Sequence, residues 1–97
     1  MKPAQRKAFN ALVKIGAPVF TRDDRPDTFG LSAEGYLSNC PVPREKQNEE
    51  RIWCDYYNSS FYGAKGFGVD PEVYDIVEAH GLFLEWENPG CLFAWPE

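Results

Sequence analysis

The residues of this chain that could act as nucleophiles or acid–base groups include three cysteines and a single histidine. Cys54 and His80, together with Asp55 or Asp75, would form a cysteine-dependent hydrolase if the fold brought them together. No nucleophile signature surrounds any of the cysteines, and His80 falls in the last turn of a predicted helix, which favours a structural cap. A small cysteine-dependent enzyme is therefore an alternative, and the leading expectation is a protein without catalytic residues.

The spacing of the potential ligands does not predict a metal or cofactor site. Cys40, Cys54, Cys91 and His80 are widely separated, so the paired cysteines of a zinc knuckle are missing. The glycine-rich stretch 63–68 lacks the Gly-Lys-Ser/Thr sequence of a phosphate loop. Acidic side chains at the start of the following helix would also repel a phosphate. We expect no metal and no cofactor.

Acidic side chains dominate the C-terminal half of the chain. Residues 1–51 hold nine Lys/Arg and seven Asp/Glu, whereas residues 52–97 hold one Lys/Arg and eight Asp/Glu. Glu72, Asp75 and Glu78 recur at helical spacing away from the apolar stripe of their helix, where like charges cost about 0.2–0.5 kcal/mol per pair. The pattern is typical of a solvated face or of a face that packs on the basic first helix. It also fits a docking surface that imitates nucleic-acid phosphates and binds a basic partner.

The predicted protein-binding surface combines these acids with aromatic side chains. Large aromatic residues lie on both sides of the predicted strand 51–57 and in the loop that follows it. They exceed what one core face needs, although helices and loops that cover both sheet faces would also explain them. The predicted contact residues are Asp55, Tyr57, Tyr62, Phe67, Glu72, Asp75, Glu78, Glu85 and Glu87.

A small winged-helix-like DNA-binding regulator is a further alternative. It would contact phosphates through Arg6, Lys7 and Lys14 on the basic N-terminal helix. The second helix is acidic, however, and Glu85 and Glu87 lie in the predicted hairpin, so both elements would be repelled by DNA. The charge pattern therefore favours a protein partner with a basic surface over direct contact with nucleic acid.

The elements that position these residues follow from periodicity and from stop signals. Helices are predicted over 4–15 and 70–80, the second with an Asp-Pro-Glu start and a glycine stop. Strands are predicted over 19–21, 28–31, 51–57, 82–86 and 91–95, the last two joined by a Pro-Gly turn. The order predicts an α+β fold, in which two helices pack on a mostly antiparallel sheet of 4–5 strands and the chain ends in a helix plus a C-terminal β-hairpin.

Length and composition predict one domain over residues 1–97. The chain is 43% hydrophobic and 15% aromatic, enough to bury a core. It has no apolar run of about 18 residues, so we expect no membrane span, and its start lacks the apolar core of a secretory signal. An odd number of widely spaced cysteines favours a reducing compartment. We expect a cytoplasmic protein that is a monomer or a small homo-oligomer.

Three stretches of the C-terminal half resemble a pattern in small uncharacterised proteins carried by phages and prophages. They are residues 53–57 (Trp-Cys-Asp-Tyr-Tyr), His80-Gly81, and residues 85–90 (Glu-Trp-Glu-Asn-Pro-Gly). The resemblance implies an accessory gene product, similar in general character to anti-defence inhibitors, including anti-CRISPR and anti-restriction proteins. Such an inhibitor would occupy a basic nucleic-acid-binding surface of a defence complex in the host cytosol. No functional residue is carried over from the resemblance.

Overall fold

The structure, a computed structural model, describes residues 1–57 and 68–97. Its elements in chain order are helix α1 (Pro3–Ile15), strands β1 (Val19–Arg22) and β2 (Arg25–Ser32), a short 3₁₀ helix (Arg44–Lys46), helix α2 (Pro71–Ala79), and strands β3 (Leu82–Asn88) and β4 (Cys91–Pro96). The four strands form an antiparallel sheet in the order β1-β2-β4-β3. The predicted α+β class is confirmed, including two helices, the antiparallel sheet and the terminal helix and hairpin.

Both helices begin and end within one residue of the predicted positions because their signals are local. Helix α1 ends at Gly16, which adopts a left-handed conformation with φ of 87°. Helix α2 begins after Asp70, whose side chain accepts a hydrogen bond from the backbone N–H of Glu72 at 2.8 Å. Gly81 follows α2 with φ of 71° and starts the turn into β3.

The main core lies between the two helices and one face of the sheet. Helix α1 contributes Ala8 and Leu12, and helix α2 contributes Val73 and Val77. The strand residues that join them alternate along each strand, as one face of a sheet requires; they are Val19, Phe29, Leu31, Leu82, Leu84, Leu92 and Ala94. Burial of an aliphatic or aromatic side chain of this size contributes about 1.5–3 kcal/mol.

A second, smaller apolar cluster covers the opposite face of the sheet. Phe20 and Phe93 are almost completely buried there, with ring centroids 5.7 Å apart in an edge-to-face arrangement. Gly30 is paired with both residues across the sheet, and the absence of a side chain on Gly30 makes room for the Phe20 ring. The guanidinium groups of Arg22 and Arg25 lie over the Phe93 ring and cover the cluster.

The predicted strand over residues 51–57 is wrong. Cys54 forms a single antiparallel bridge with Val69, and residues 56 and 57 turn away from it. The alternation that predicted the strand does not match the observed burial, because Trp53 and Cys54 are adjacent and both are buried. Neighbouring residues of a regular strand point to opposite faces, so this short segment packs as an irregular connection.

Candidate protein-binding surface

The segment that precedes the undescribed residues lies against the chain just before α2. Cys54 pairs with Val69, and the backbone N–H of Asp55 donates a hydrogen bond to the carbonyl oxygen of Gly68 at 2.7 Å. These contacts place residues 55–57 beside the N-terminal end of α2.

Arg51 joins this segment to α2 through two carboxylates. Its Nε donates to Asp70 Oδ2 at 2.7 Å, and its Nη2 donates to Glu72 Oε1 at 2.9 Å. Its guanidinium also lies 3.9 Å from the centroid of the Trp53 ring. Hydrogen bonding to Asp70 raises the pKa of Arg51, and its charge is therefore fixed. Glu72, one of the predicted contact residues, is thus engaged in an ion pair within the chain.

Two exposed tyrosines, Tyr56 and Tyr57, follow Arg51 and Trp53 in the sequence. Tyr57 is 82% exposed and Tyr56 is 45% exposed. The Tyr56 ring packs edge-to-face against Tyr57 and against Trp86, with centroid distances of 5.4 Å in both cases. Asp55 Oδ1 accepts a hydrogen bond from the backbone N–H of Tyr57 at 3.1 Å. We call Asp55, Tyr56, Tyr57 and Trp86 the tyrosine surface; it contains two of the predicted contact residues.

Two more predicted contact residues lie on the solvent side of α2. Asp75 and Glu78 are exposed, whereas Val73 and Val77 of the same helix are buried in the core. Glu72, the third acid of this helix, forms an ion pair with Arg51, which lies outside α1. This ion pair does not support the alternative in which the acidic face of α2 meets the basic face of α1.

Glu85 and Glu87 do not belong to the same surface as the α2 acids. Leu84 faces the helices in strand β3, so Glu85 and Glu87 point to the opposite side of the sheet. Glu87 forms ion pairs there with Arg22 at 2.6 Å and with Arg25 at 3.2 Å. The predicted acidic residues are thus distributed over two faces of the molecule, and Glu72 and Glu87 are paired with arginines of this chain.

The remaining predicted contact residues, Tyr62 and Phe67, lie outside the described residues, as does most of the glycine-rich stretch 63–68. The arginine cluster on the outer face of the sheet was not found by sequence reasoning. Arg22 and Glu87 are 65 positions apart, and no local pattern connects them.

Cys54 and His80, the residues that would carry cysteine chemistry, lie in environments typical of structural residues. Cys54 is buried, and its burial, with a smaller contribution from Asp55, raises the pKa of the thiol to about 12. A thiol in this environment is protonated at neutral pH and is a poor nucleophile. His80 Nδ1 lies 2.8 Å from the carbonyl oxygen of Ile76, one turn earlier in α2. In the described ranges, no group of three or more His, Cys, Asp or Glu side chains is arranged to hold a metal ion.

A cleft of about 510 Å³ lies between the end of β2 and the segment 48–54. The residues that line it include the acidic Glu34 and Glu49, the basic Arg51, and the aromatic Tyr36 and Trp53. The indole N–H of Trp53 is buried and has no hydrogen-bond partner among the residues described. The cleft is of the size that holds small ligands in other proteins, but its opposing charges do not define one ligand.

Fold and surface together define a two-layer α+β protein with an exposed pair of tyrosines beside an acidic helix. None of the helices in the described part of the chain is long and apolar enough to cross a membrane. Comparison with protein-family models, with curated proteins and with solved structures gives no match.

Proposed function

We propose that this chain is a protein-binding module without catalytic residues, and that the tyrosine surface and the exposed acids of α2 form its contact face. The observation that carries the proposal is the exposure of Tyr57, which is 82% exposed. Tyrosine is enriched among the residues that dominate binding energy at protein interfaces. Its ring loses little conformational entropy on binding and brings a polar hydroxyl group to the contact.

The proposed partner has a basic surface. Residues 52–97 hold eight acidic and one basic residue. Asp55 lies beside the N-terminal end of α2, and Asp75 and Glu78 are exposed on that helix. Complementary charge accelerates encounter and fixes the orientation of a complex. In its specific form, the proposal follows the resemblance: the basic surface is one that binds nucleic acid in a host defence complex, and the acids take the place of phosphates.

Site-specific photo-crosslinking in bacterial cells tests the contact face. A benzophenone amino acid is placed at position 57 in one variant and at position 83 in a matched control. Phe83 is also an exposed aromatic residue, but it lies on the opposite face of the sheet. We expect a crosslinked protein with a basic surface from position 57 and little from position 83. Crosslinks of equal yield at the two positions, or from position 83 alone, would contradict the proposed face.

Competition with nucleic acid tests the specific form of the proposal. The captured partner is incubated with labelled duplex DNA or RNA, and the chain is then added in increasing amounts. We expect displacement of the nucleic acid, with an inhibition that weakens as salt rises. A chain that shifts labelled DNA in a gel by itself would instead support the regulator that uses Arg6, Lys7 and Lys14.

A further inference from the structure

Three arginines of this chain are held in the same way, each by an aromatic ring and a carboxylate. Arg51 lies 3.9 Å from the centroid of Trp53 and pairs with Asp70. A planar guanidinium can stack on a ring while its edge donates hydrogen bonds to carboxylate oxygens. We call this combination a ring–carboxylate unit.

The other two examples lie on the outer face of the sheet and share one carboxylate. Arg22 lies 5.4 Å from the centroid of Phe93, and Arg25 lies 5.7 Å from the centroid of Trp95. Both guanidinium groups form ion pairs with Glu87. The centroid distances fall within the range of about 6 Å in which a cation is attracted to the face of a ring.

Asp55 and Tyr57 provide the parts of another ring–carboxylate unit. The Asp55 carboxylate is fixed by the hydrogen bond that Oδ1 accepts from the backbone of Tyr57 at 3.1 Å, which leaves Oδ2 available as an acceptor. The Tyr57 ring stands largely in solvent and is supported from one side by Tyr56. Among the residues that the structure describes, no arginine or lysine stacks on Tyr57 or forms an ion pair with Asp55.

We infer that Asp55 and Tyr57 bind an arginine side chain of the protein partner. The inference rests on the proposed function and names the residue type that the contact face recognises. Arginine fits better than lysine, because its flat and weakly hydrated guanidinium stacks on a ring and presents several donors to a carboxylate at once. The acids on α2 add attraction for a cationic segment without determining which cation is bound.

Titration of the intact chain with three hexapeptides, followed by NMR, tests the inference. The probes are hexa-arginine, hexa-lysine and hexa-citrulline, which keeps the shape of arginine but carries no charge. We expect hexa-arginine to shift the backbone resonances of residues 55–57, hexa-lysine to bind these residues more weakly, and hexa-citrulline to leave them unchanged. Equal shifts from the citrulline and arginine peptides would overturn the inference.

Variants separate this contact from general attraction to an acidic protein. Tyr57→Ala and Asp55→Asn should each weaken hexa-arginine binding by about twofold to fivefold. Tyr57→Phe should retain most of the affinity because the ring is kept. Phe83→Ala is the matched control on the opposite face and should leave the affinity unchanged. An equal effect of Tyr57→Ala and Phe83→Ala would contradict the inference.

The two proposals fail in different ways. If residue 57 crosslinks a basic partner but hexa-arginine does not shift residues 55–57, the contact face stands and the arginine contact is wrong. If hexa-arginine binds as expected while position 57 gives no crosslink in cells, the ring–carboxylate unit is supported and the proposed function is contradicted. Circular dichroism of each variant confirms that its fold is intact before binding is compared.

Discussion

The buried thiol of Cys54 should make this protein less stable at alkaline pH. Burial, and to a lesser degree the charge of Asp55, raises the pKa of the thiol from 9.0 to about 12. Between these values the unfolded chain releases the proton while the folded chain keeps it, so the free energy of unfolding falls as pH rises. The slope is at most about 1.4 kcal/mol per pH unit. Urea unfolding between pH 8 and pH 11 should show this decline.

Cys54→Ala should remove the part of the decline that the thiol causes. The comparison uses the slope of unfolding free energy against pH, because the lost side chain changes the absolute stability as well. Cys40→Ala, at a partly exposed cysteine, is the matched control and should keep the slope of the native chain. Equal slopes in all three proteins would show that the Cys54 thiol does not carry the effect.

Gly30 is required by the packing of the Phe20 ring. A Cβ atom at position 30 would lie 2.7 Å from Phe20 Cζ and 3.1 Å from the carbonyl oxygen of Leu92. Gly30→Ala should therefore lower the free energy of unfolding by about 1–3 kcal/mol through overpacking. In a Phe20→Leu background the ring is absent, and the cost of Gly30→Ala should be smaller. A double-mutant cycle measured by urea unfolding reports this coupling, and additive effects would contradict it.

At the residue scale, sequence predicted what depends on near neighbours. The cap at Asp70 and the glycines that follow both helices were found because their partners lie within a few positions. The sequence did not predict the ion pairs, because Arg51 and Glu72 are 21 positions apart and each acid had several potential partners. As a result, Glu72 and Glu87 were predicted to contact a partner, although each binds an arginine of this chain.

At the element scale, Arg51 helps to hold the segment 51–57 beside the N-terminal end of α2 through its ion pairs with Asp70 and Glu72. Asp70 is 5% exposed and both caps the helix and pairs with Arg51. Arg51→Ala should lower the free energy of unfolding by about 1–2 kcal/mol, less than for a fully buried pair, because the Arg51 side chain is 31% exposed. The difference in the free energy of unfolding between the native chain and Arg51→Ala should be smaller in 1 M salt, which screens the ion pair.

Arg44→Ala is the matched control for this prediction, because Arg44 is exposed in the 3₁₀ helix and forms none of the ion pairs among the described residues. Urea unfolding of Arg51→Ala, Asp70→Asn and the double variant gives the coupling free energy. Asp70→Asn keeps an oxygen for the cap and removes the charge. A coupling near zero would mean that the pair does not hold the segment in place.

The hairpin and the segment 51–57 show why one element was predicted correctly and another was not. Strands β3 and β4 are adjacent in sequence and joined by Pro89 and Gly90, so a local turn selects their pairing. The segment 51–57 has a similar alternation, but its pairing partner in the described chain is Val69 alone. Periodicity alone does not predict whether a segment joins the sheet, because the same alternation occurs here in a segment that forms a single bridge.

At the scale of the whole molecule, the predicted acidic contact residues lie on two sides: some on α2 and others on the outer face of the sheet. A standard interface covers about 800 Å² of each partner, about a seventh of the 5583 Å² of accessible surface. One partner of that kind does not reach both sides of the sheet. The predicted contact residues therefore divide into two alternatives: the helix side with Tyr57 and Glu78, and the sheet side with Glu85.

Charge reversal at one residue of each side decides between these alternatives. Glu78→Lys and Glu85→Lys make the same change of charge at exposed positions, so their effects on solubility and long-range attraction are matched. We expect Glu78→Lys to weaken binding to the crosslinked partner by about fivefold, and Glu85→Lys to change it by less than about twofold, in surface plasmon resonance at physiological salt. The opposite order would move the interface to the outer face of the sheet. Because net charge changes equally in the two variants, equal weakening would mean that the partner responds to the total charge of the protein and does not recognise one face.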